Sequence, residues 1–185
     1  MPDSKKTTSI LILLCSIIVL FSSCENDIEK VKSLTRKKNA PAISSRNSEV
    51  FISDSAQIKI KLNAPQIDYY EGDEPYQEFP KGIDVSFYED GKGLTSRITA
   101  NYAIHKQNSK IMEAKRNVVV VNEKGEKLNT EHLIWEEEGD RITSDAFVKI
   151  TTADEILMGE GLESNQSFTK YRIKKIKGTI RLKDV

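Results

Sequence analysis

The sequence predicts an all-β fold of antiparallel strands, either a sandwich, a jelly roll or an open barrel. Three observations support this prediction. Apolar and polar residues alternate with a period of two in many short runs, the pattern of half-buried strands. Turn-forming residues separate these runs about every eight to twelve residues. Helical periodicity is almost absent after residue 50, and similar segments recur along the chain.

The first part of the predicted domain contains three alternating strands. Pro65 and two turn clusters, residues 71–75 and 90–93, lie between them. The residues that alternate with polar neighbours are Ile58, Ile60, Leu62, Ile83, Val85, Phe87, Ile98, Ala100, Tyr102 and Ile104.

The second part contains shorter runs of the same kind. Segments rich in Gly, Asn, Ser and Asp predict turns at 107–109, 123–125, 137–140 and 153–155. Strands are predicted over 111–114, 118–121, 127–135, 141–144, 147–151, 156–158 and 169–182. Alternation does not assign faces to residues 118–121 or 133–135.

Three segments with a shared pattern begin at Ile98, Leu128 and Leu157, about thirty residues apart. In each segment a small residue follows two places later, then a polar residue, and then an apolar residue five places from the start. The pattern favours stacked hairpins, because a single hairpin cannot bury its own apolar face. The alternative is chance similarity among short strands.

Composition limits the classes of partner and site. The 185 residues include 28 basic and 28 acidic side chains, so no net field attracts nucleic acid, and no nucleic-acid partner is expected. The cysteines are Cys15 and Cys24, both outside the predicted domain, so neither a disulfide framework nor a cysteine-rich zinc site is expected there.

Residues 1–23 have the features of a signal peptide. Lys5 and Lys6 precede an apolar run of about a dozen residues, shorter than the ~20 residues that a membrane-spanning helix needs. Ser22, Ser23 and Cys24 resemble a bacterial lipobox, although Phe21 stands where leucine is usual. We expect cleavage before Cys24 and lipidation of its thiol, with an uncleaved anchor as the alternative. Either outcome places the domain outside the cytoplasm.

Residues 24–49 are predicted to be the lipidated cysteine and a flexible tether, and residues 50–185 the folded domain. The tether is charged up to Lys38, then polar around Pro41, and shows no alternating apolar pattern.

Residue patterns for catalysis are scarce. The sequence has no GxxxxGK[ST] phosphate-binding loop, and His105 and His132 lack the spacing of a helical metal site. The acidic run 136–138 precedes Gly139 and is better explained as a solvated hairpin tip than as a general acid. Trp135 is expected to be core or rim packing. We therefore expect no enzyme, no cofactor and no metal.

The ordered set of segments resembles the LptC family, the periplasmic component of the lipopolysaccharide-export ABC transporter, in the lipoprotein-like form found in Bacteroidota. The resemblance covers about residues 50–182. Cys24 departs from family members that keep a transmembrane helix. The segments that carry the resemblance are 62–64, 67–70, 75–83, 98–104, 113–118, 128–135, 142–145 and 159–162.

The resemblance implies a twisted, incompletely closed antiparallel β-jellyroll around an apolar groove. It implies a periplasmic protein anchored to the inner membrane. The sequence does not specify which leaflet holds the anchor. Such a protein receives lipopolysaccharide from the inner-membrane permease and ATPase complex and passes it to a periplasmic bridge protein of the same fold. For each groove candidate, ordinary core packing is the alternative. The groove candidates are Ile60, Leu62, Val85, Phe87, Ile98, Ala100, Ile104, Val118, Val120, Leu128, Ile134, Ile142, Phe147, Ile150 and Met158.

The resemblance also implies that two strand edges bind partners, since free edges add partner strands. The N-terminal edge, residues 52–62, would contact the permease, and the C-terminal edge, residues 171–182, the bridge protein. The lysines of the second edge could instead protect it from unwanted pairing. The edge candidates are Ile58, Tyr171, Ile173, Ile176 and Ile180.

Two other classes of function stay open at this point. A surface-anchored β-sandwich module that binds glycan or protein would carry exposed aromatic residues on its loops. A tethered hydrolase would need paired carboxylates or a nucleophile in a pocket, and the sequence offers neither pattern.

Overall fold

The computed structural model describes residues 40–91 and 93–182, which form eleven β-strands and, within these ranges, no helix. None of the described segments could therefore cross a bilayer as an apolar helix. The strands are β1 (Ile43–Asp54), β2 (Gln57–Tyr70), β3 (Tyr76–Phe79), β4 (Ile83–Glu89), β5 (Gly93–Ala100), β6 (Tyr102–Lys106), β7 (Ile111–Asn122), β8 (Lys127–Glu136), β9 (Arg141–Thr151), β10 (Glu155–Asn165) and β11 (Tyr171–Arg181).

The strands form one antiparallel sheet that follows the chain as a meander. Its order is β11-β10-β9-β8-β7-β5-β4-β2-β3-β6, while β1 pairs with β2 and β6 also pairs with β7. β3 and β4 both run along β2, and β5 and β6 both run along β7. Each of these short pairs therefore replaces one long strand that is interrupted in the middle.

The interruptions lie side by side, so the sheet bends along a line that crosses the strands. Asn101 separates β5 from β6, and its N–H donates to the carbonyl of Arg116 at 2.9 Å. Arg116 and Asn117 have positive φ at a register shift of β7. The β8–β9 ladder shifts after Thr130, and the β9–β10 ladder shifts at Gly161, where φ is +75°. Bulges of this kind bend a strand and increase its twist.

The thirty-residue repeat of the sequence marks these bends. In each repeat the inward-facing residues are the first residue and the residues two and five places after it. The residues five places after the start are Ala103, Leu133 and Leu162, and all three are buried. Strict alternation would instead bury the residue four places after the start. One extra residue at the bend changes the phase by one, which exchanges the two faces of the following half-strand.

The bend line divides the sheet into two layers that face each other. Layer 1 contains β4, β5 and the halves of the long strands that pair with them, and layer 2 contains β3, β6 and the other halves. Phe87 in layer 1 meets Trp135 in layer 2 edge to face, with ring centroids 4.9 Å apart. Two strands separate β4 from β8 within the sheet, so this contact crosses the core. The predicted all-β, incompletely closed jellyroll is confirmed.

The first strand begins earlier than the boundary predicted near residue 50. β1 starts at Ile43, and its polar first half pairs with β2 from Ile43 opposite Tyr69 to Ser48 opposite Ala64. An edge strand exposed on both faces needs no alternating apolar pattern, so the sequence resembled a tether. The predicted signal peptide, Cys24 and the first part of the tether lie outside the described residues.

Candidate functional site

A cavity of about 110 Å³ lies between the two layers on the side of β1. Its layer 1 wall is apolar and is built by Ile60, Leu62 and Val85, with Val50 and Ile52 of β1 beside them. Layer 2 supplies both apolar and polar groups. The layer 2 residues are Ile67, Gln77, Phe79, His105, Met112, Trp135 and Glu137.

The polar groups of the cavity form one cluster. Nε2 of His105 lies 2.8 Å from Oε1 of Glu137, although the ring N–H does not point along a hydrogen-bond direction toward that oxygen. On the other side of the ring, Nδ1 lies 3.4 Å from Oε1 of Gln77. The remaining wall is apolar, so the site suits an apolar ligand better than a charged one.

A turn residue contributes to the packed interior. Phe168, in the turn between β10 and β11, is fully buried there and stacks on Tyr171 with ring centroids 4.8 Å apart. In this closed arrangement the buried groove candidates are packed as a core. They are Phe87, Ile98, Ala100, Val118, Val120, Leu128, Ile142 and Ile150.

Four of the predicted groove residues lie on the outer face of the sheet, so they do not line the interior. Ile104 lies between buried Ala103 and inward-facing His105, because the bend at Asn101 changes the phase. Ile134 and Met158 likewise alternate with neighbours that face the core. Phe147, next to fully buried Val148, is 51% exposed, whereas Phe87 is 1% exposed.

Several residues of the interior are not among the predicted groove residues. Leu133 and Leu162 could have been assigned to it from the five-residue spacing of the repeat. Val148 alternates with Ile150 in β9 and could also have been included. No sequence pattern marks Phe168, because it lies in a turn.

The two ends of the meander are β1 and β11, each paired on one side only within the described residues. Tyr171, Ile173 and Ile176 lie on the inner face of β11, where Ile176 is 64% exposed, whereas Ile180 lies on the outer face. Ile58 does not lie at a free edge, because it is in β2 and pairs with Ser53 of β1. The N-terminal edge is therefore β1 itself.

A family profile described as "Lipopolysaccharide-assembly, LptC-related" matches residues 9–180. The match spans nearly the whole chain. The chain belongs to the LptC-related family. No curated protein matches it. The predicted family is thus confirmed, and the chain has a role in lipopolysaccharide transport.

The acidic run that the sequence analysis weighed as a general acid is fully paired in this LptC-related domain. Glu136 accepts hydrogen bonds from Arg141, Glu137 contacts His105, and Glu138 pairs with Lys110 at 2.9 Å. The hydrogen bond from Lys110 lowers the pKa of Glu138. Of these three carboxylates Glu137 lines the cavity, whereas Glu136 and Glu138 pair with Arg141 and Lys110 at the surface, so no two of them meet in the cavity. Among the described residues, no group of acidic, His and Cys side chains could hold a metal.

The outer face of the LptC-related domain carries a second polar cluster at the bend. His132 lies between Glu113, 2.8 Å from Nε2, and Asp145, 3.0 Å from Nδ1. Burial acts to raise the pKa of Glu113, but its hydrogen bonds with Lys115 and His132 outweigh burial and lower it. The cluster joins β7, β8 and β9 where their ladder is interrupted, so it has a structural explanation.

Proposed function

We propose that this protein receives lipopolysaccharide from an inner-membrane permease and ATPase complex and passes it to a periplasmic bridge protein of the same fold. The observation that carries the proposal is the apolar cavity between the two layers of an LptC-related domain, lined in part by the edge strand β1. The protein works in the periplasm on a lipid anchor at Cys24.

The acyl chains of lipopolysaccharide are the groups that would enter the interior. A twelve-carbon chain would gain about 10 kcal/mol if fully buried, at ~0.8 kcal/mol per methylene. A ligand held by several chains would dissociate into water very slowly. Transfer therefore needs a second apolar groove placed directly against the first, and the energy for it must come from the ATPase.

The two edges fit this arrangement. β1 and β11 lie at opposite ends of the meander, and each can add a strand of another protein to the sheet. β1 would contact the permease and β11 the bridge protein, so the inner faces would continue from one protein to the next. Exposed Ile176 on the inner face of β11 would then be covered.

Photo-crosslinking in membranes that contain the permease and ATPase tests this function. A photo-reactive residue at Leu62, which lines the cavity, should form adducts with lipopolysaccharide only when ATP is supplied. The same residue at Phe147 is the matched control, because Phe147 lies on the outer face of layer 1. Equal adducts at both positions, or none at Leu62, would contradict the proposal.

A further inference from the structure

The turn between β10 and β11 crosses from one layer to the other. Residues 166–168, here called the strap, follow the layer 2 end of β10, yet they bond to layer 1. Ser96 of β5 donates its hydroxyl proton to the carbonyl of Gln166 at 2.9 Å. The amide of Asn122, at the end of β7, donates to the carbonyl of Phe168 at 2.8 Å. Ser167 donates to a carboxylate oxygen of Glu89 at 2.8 Å.

The strap also fills the space between the layers. The Phe168 side chain has no exposed surface, and its backbone has a φ of +50°, a conformation that a bulky residue rarely adopts. Trp135 donates its ring N–H to the side-chain oxygen of Gln166 at 3.1 Å. Trp135 also lines the β1-side cavity, so the strap is hydrogen-bonded to a residue of the cavity wall.

In its present form the β1-side cavity is too small for an acyl chain. The cavity of about 110 Å³ is smaller than the ~150 Å³ site that accepts a single benzene molecule. Phe168 of the strap stacks on Tyr171, which forms the inner face of β11 together with Ile173 and Ile176. The strap therefore contacts both a residue of the cavity wall, Trp135, and the inner face of β11.

The strap can open without breaking a strand ladder. Backbone ladders join the bent strands, whereas the strap reaches layer 1 through three hydrogen bonds that all involve side chains. Turns without ladder bonds open locally before the strands they connect.

The chemistry of the strap resembles that of an acylated ligand. It presents two carbonyl oxygens to the side-chain donors of Ser96 and Asn122, and it places one apolar group beneath them in the core. An acyl chain attached through an ester or an amide also has a carbonyl at the rim and an apolar tail below.

We propose that the strap is a built-in substitute for the ligand and that acyl chains displace it on their way from the β1 side to the β11 side. In the loaded protein, Ser96 and Asn122 donate to the acyl carbonyls instead of to the strap. In the empty protein, Phe168 keeps the apolar interior from contact with water. The proposal rests on the function proposed above.

A reversible lock tests the displacement. Ser167→Cys combined with Glu89→Cys, bridged by a short bis-thiosulfonate reagent because the Ser167 hydroxyl meets the far end of the Glu89 side chain, joins the strap to layer 1 in the full chain, and a reducing agent cleaves the bridge. Photo-reactive residues at Leu62 and at Ile173 report the two sides. With the lock closed, the lipopolysaccharide adduct at Ile173 should fall to background, and reduction should restore it. Each single-cysteine variant is a control for pairing with Cys15 or Cys24.

The outcomes separate the two proposals. Adducts at Ile173 that are unchanged by a closed lock would overturn the strap proposal while leaving the transport function intact. Absence of adducts at both positions in the unlocked protein would overturn the transport function and the strap proposal with it.

Hydrogen exchange gives a second test that needs no substitution. The Gln166 N–H donates to the carbonyl of Asp140 at 2.8 Å, and the Phe168 N–H donates to that of Asn165 at 3.0 Å. Lipopolysaccharide should speed the exchange of the strap amides, because displacement breaks the contacts that hold them. Unchanged or slower exchange in protein saturated with lipopolysaccharide would overturn the proposal.

Discussion

The assignment of inner and outer faces predicts very different costs for removing two phenylalanine rings. Phe87→Ala removes a ring that is 1% exposed and that touches Trp135 across the core. Such a change loses the transfer free energy of the ring and leaves a cavity, for a total of about 3–5 kcal/mol. Phe147→Ala removes a ring that is 51% exposed on the outer face, so its expected cost is below about 1 kcal/mol.

Urea unfolding of the two variants measures this difference. With a slope of about 1–3 kcal/mol per molar urea, the midpoint of Phe87→Ala should fall by roughly 2 M, whereas that of Phe147→Ala should stay close to the parent protein. The two variants delete the same atoms and differ only in the face from which they are removed. Similar midpoints would refute the face assignment of layer 1, and with it the view that the interior is built from these strands.

Three further predictions concern the bend, the half-buried phenol of Tyr102 and the C-terminal edge. In Gly82→Ala the new Cβ would overlap the carbonyl oxygen of Ala100, whereas Gly91, which also has positive φ, has open space around it. We therefore expect Gly82→Ala to lose about 1–3 kcal/mol more than Gly91→Ala, and equal losses in urea unfolding would contradict this. Burial, followed by the hydrogen bond to Glu78, raises the pKa of Tyr102 to about 12. Because the folded pKa lies above the unfolded value, stability should fall as the pH rises from about 10 to about 12, and Tyr102→Phe should flatten this part of the profile. Ile176→Pro in β11 should reduce capture of the bridge protein in a pull-down while the melting temperature changes little; undiminished capture would count against β11 as the partner edge.

Alternation predicted the fold class and much of the interior because the half-strands are regular. Ile60, Val85, Phe87 and Ile98 lie on runs without a bend, and all four face the core or the cavity. A buried face in an antiparallel sheet imposes a period of two, so these positions are readable from sequence.

The same reasoning fails where the backbone departs from a regular strand. Ile104 and Ile134 follow bends, and one extra residue before each exchanges the faces. The first half of β1 falls within the predicted tether because its side chains contact water along most of its length. Phe168 was not predicted to be buried, because a turn residue that is buried by contacts distant in sequence produces no periodic pattern.

A structure of the full chain bound to lipopolysaccharide is the most direct test of the central claim. We expect acyl chains between the two layers, in contact with Leu62 and Val85. We also expect the strap to be displaced and Phe168 to lie outside the core. Acyl chains bound on the outer face, with the layers closed and Phe168 still buried, would contradict it.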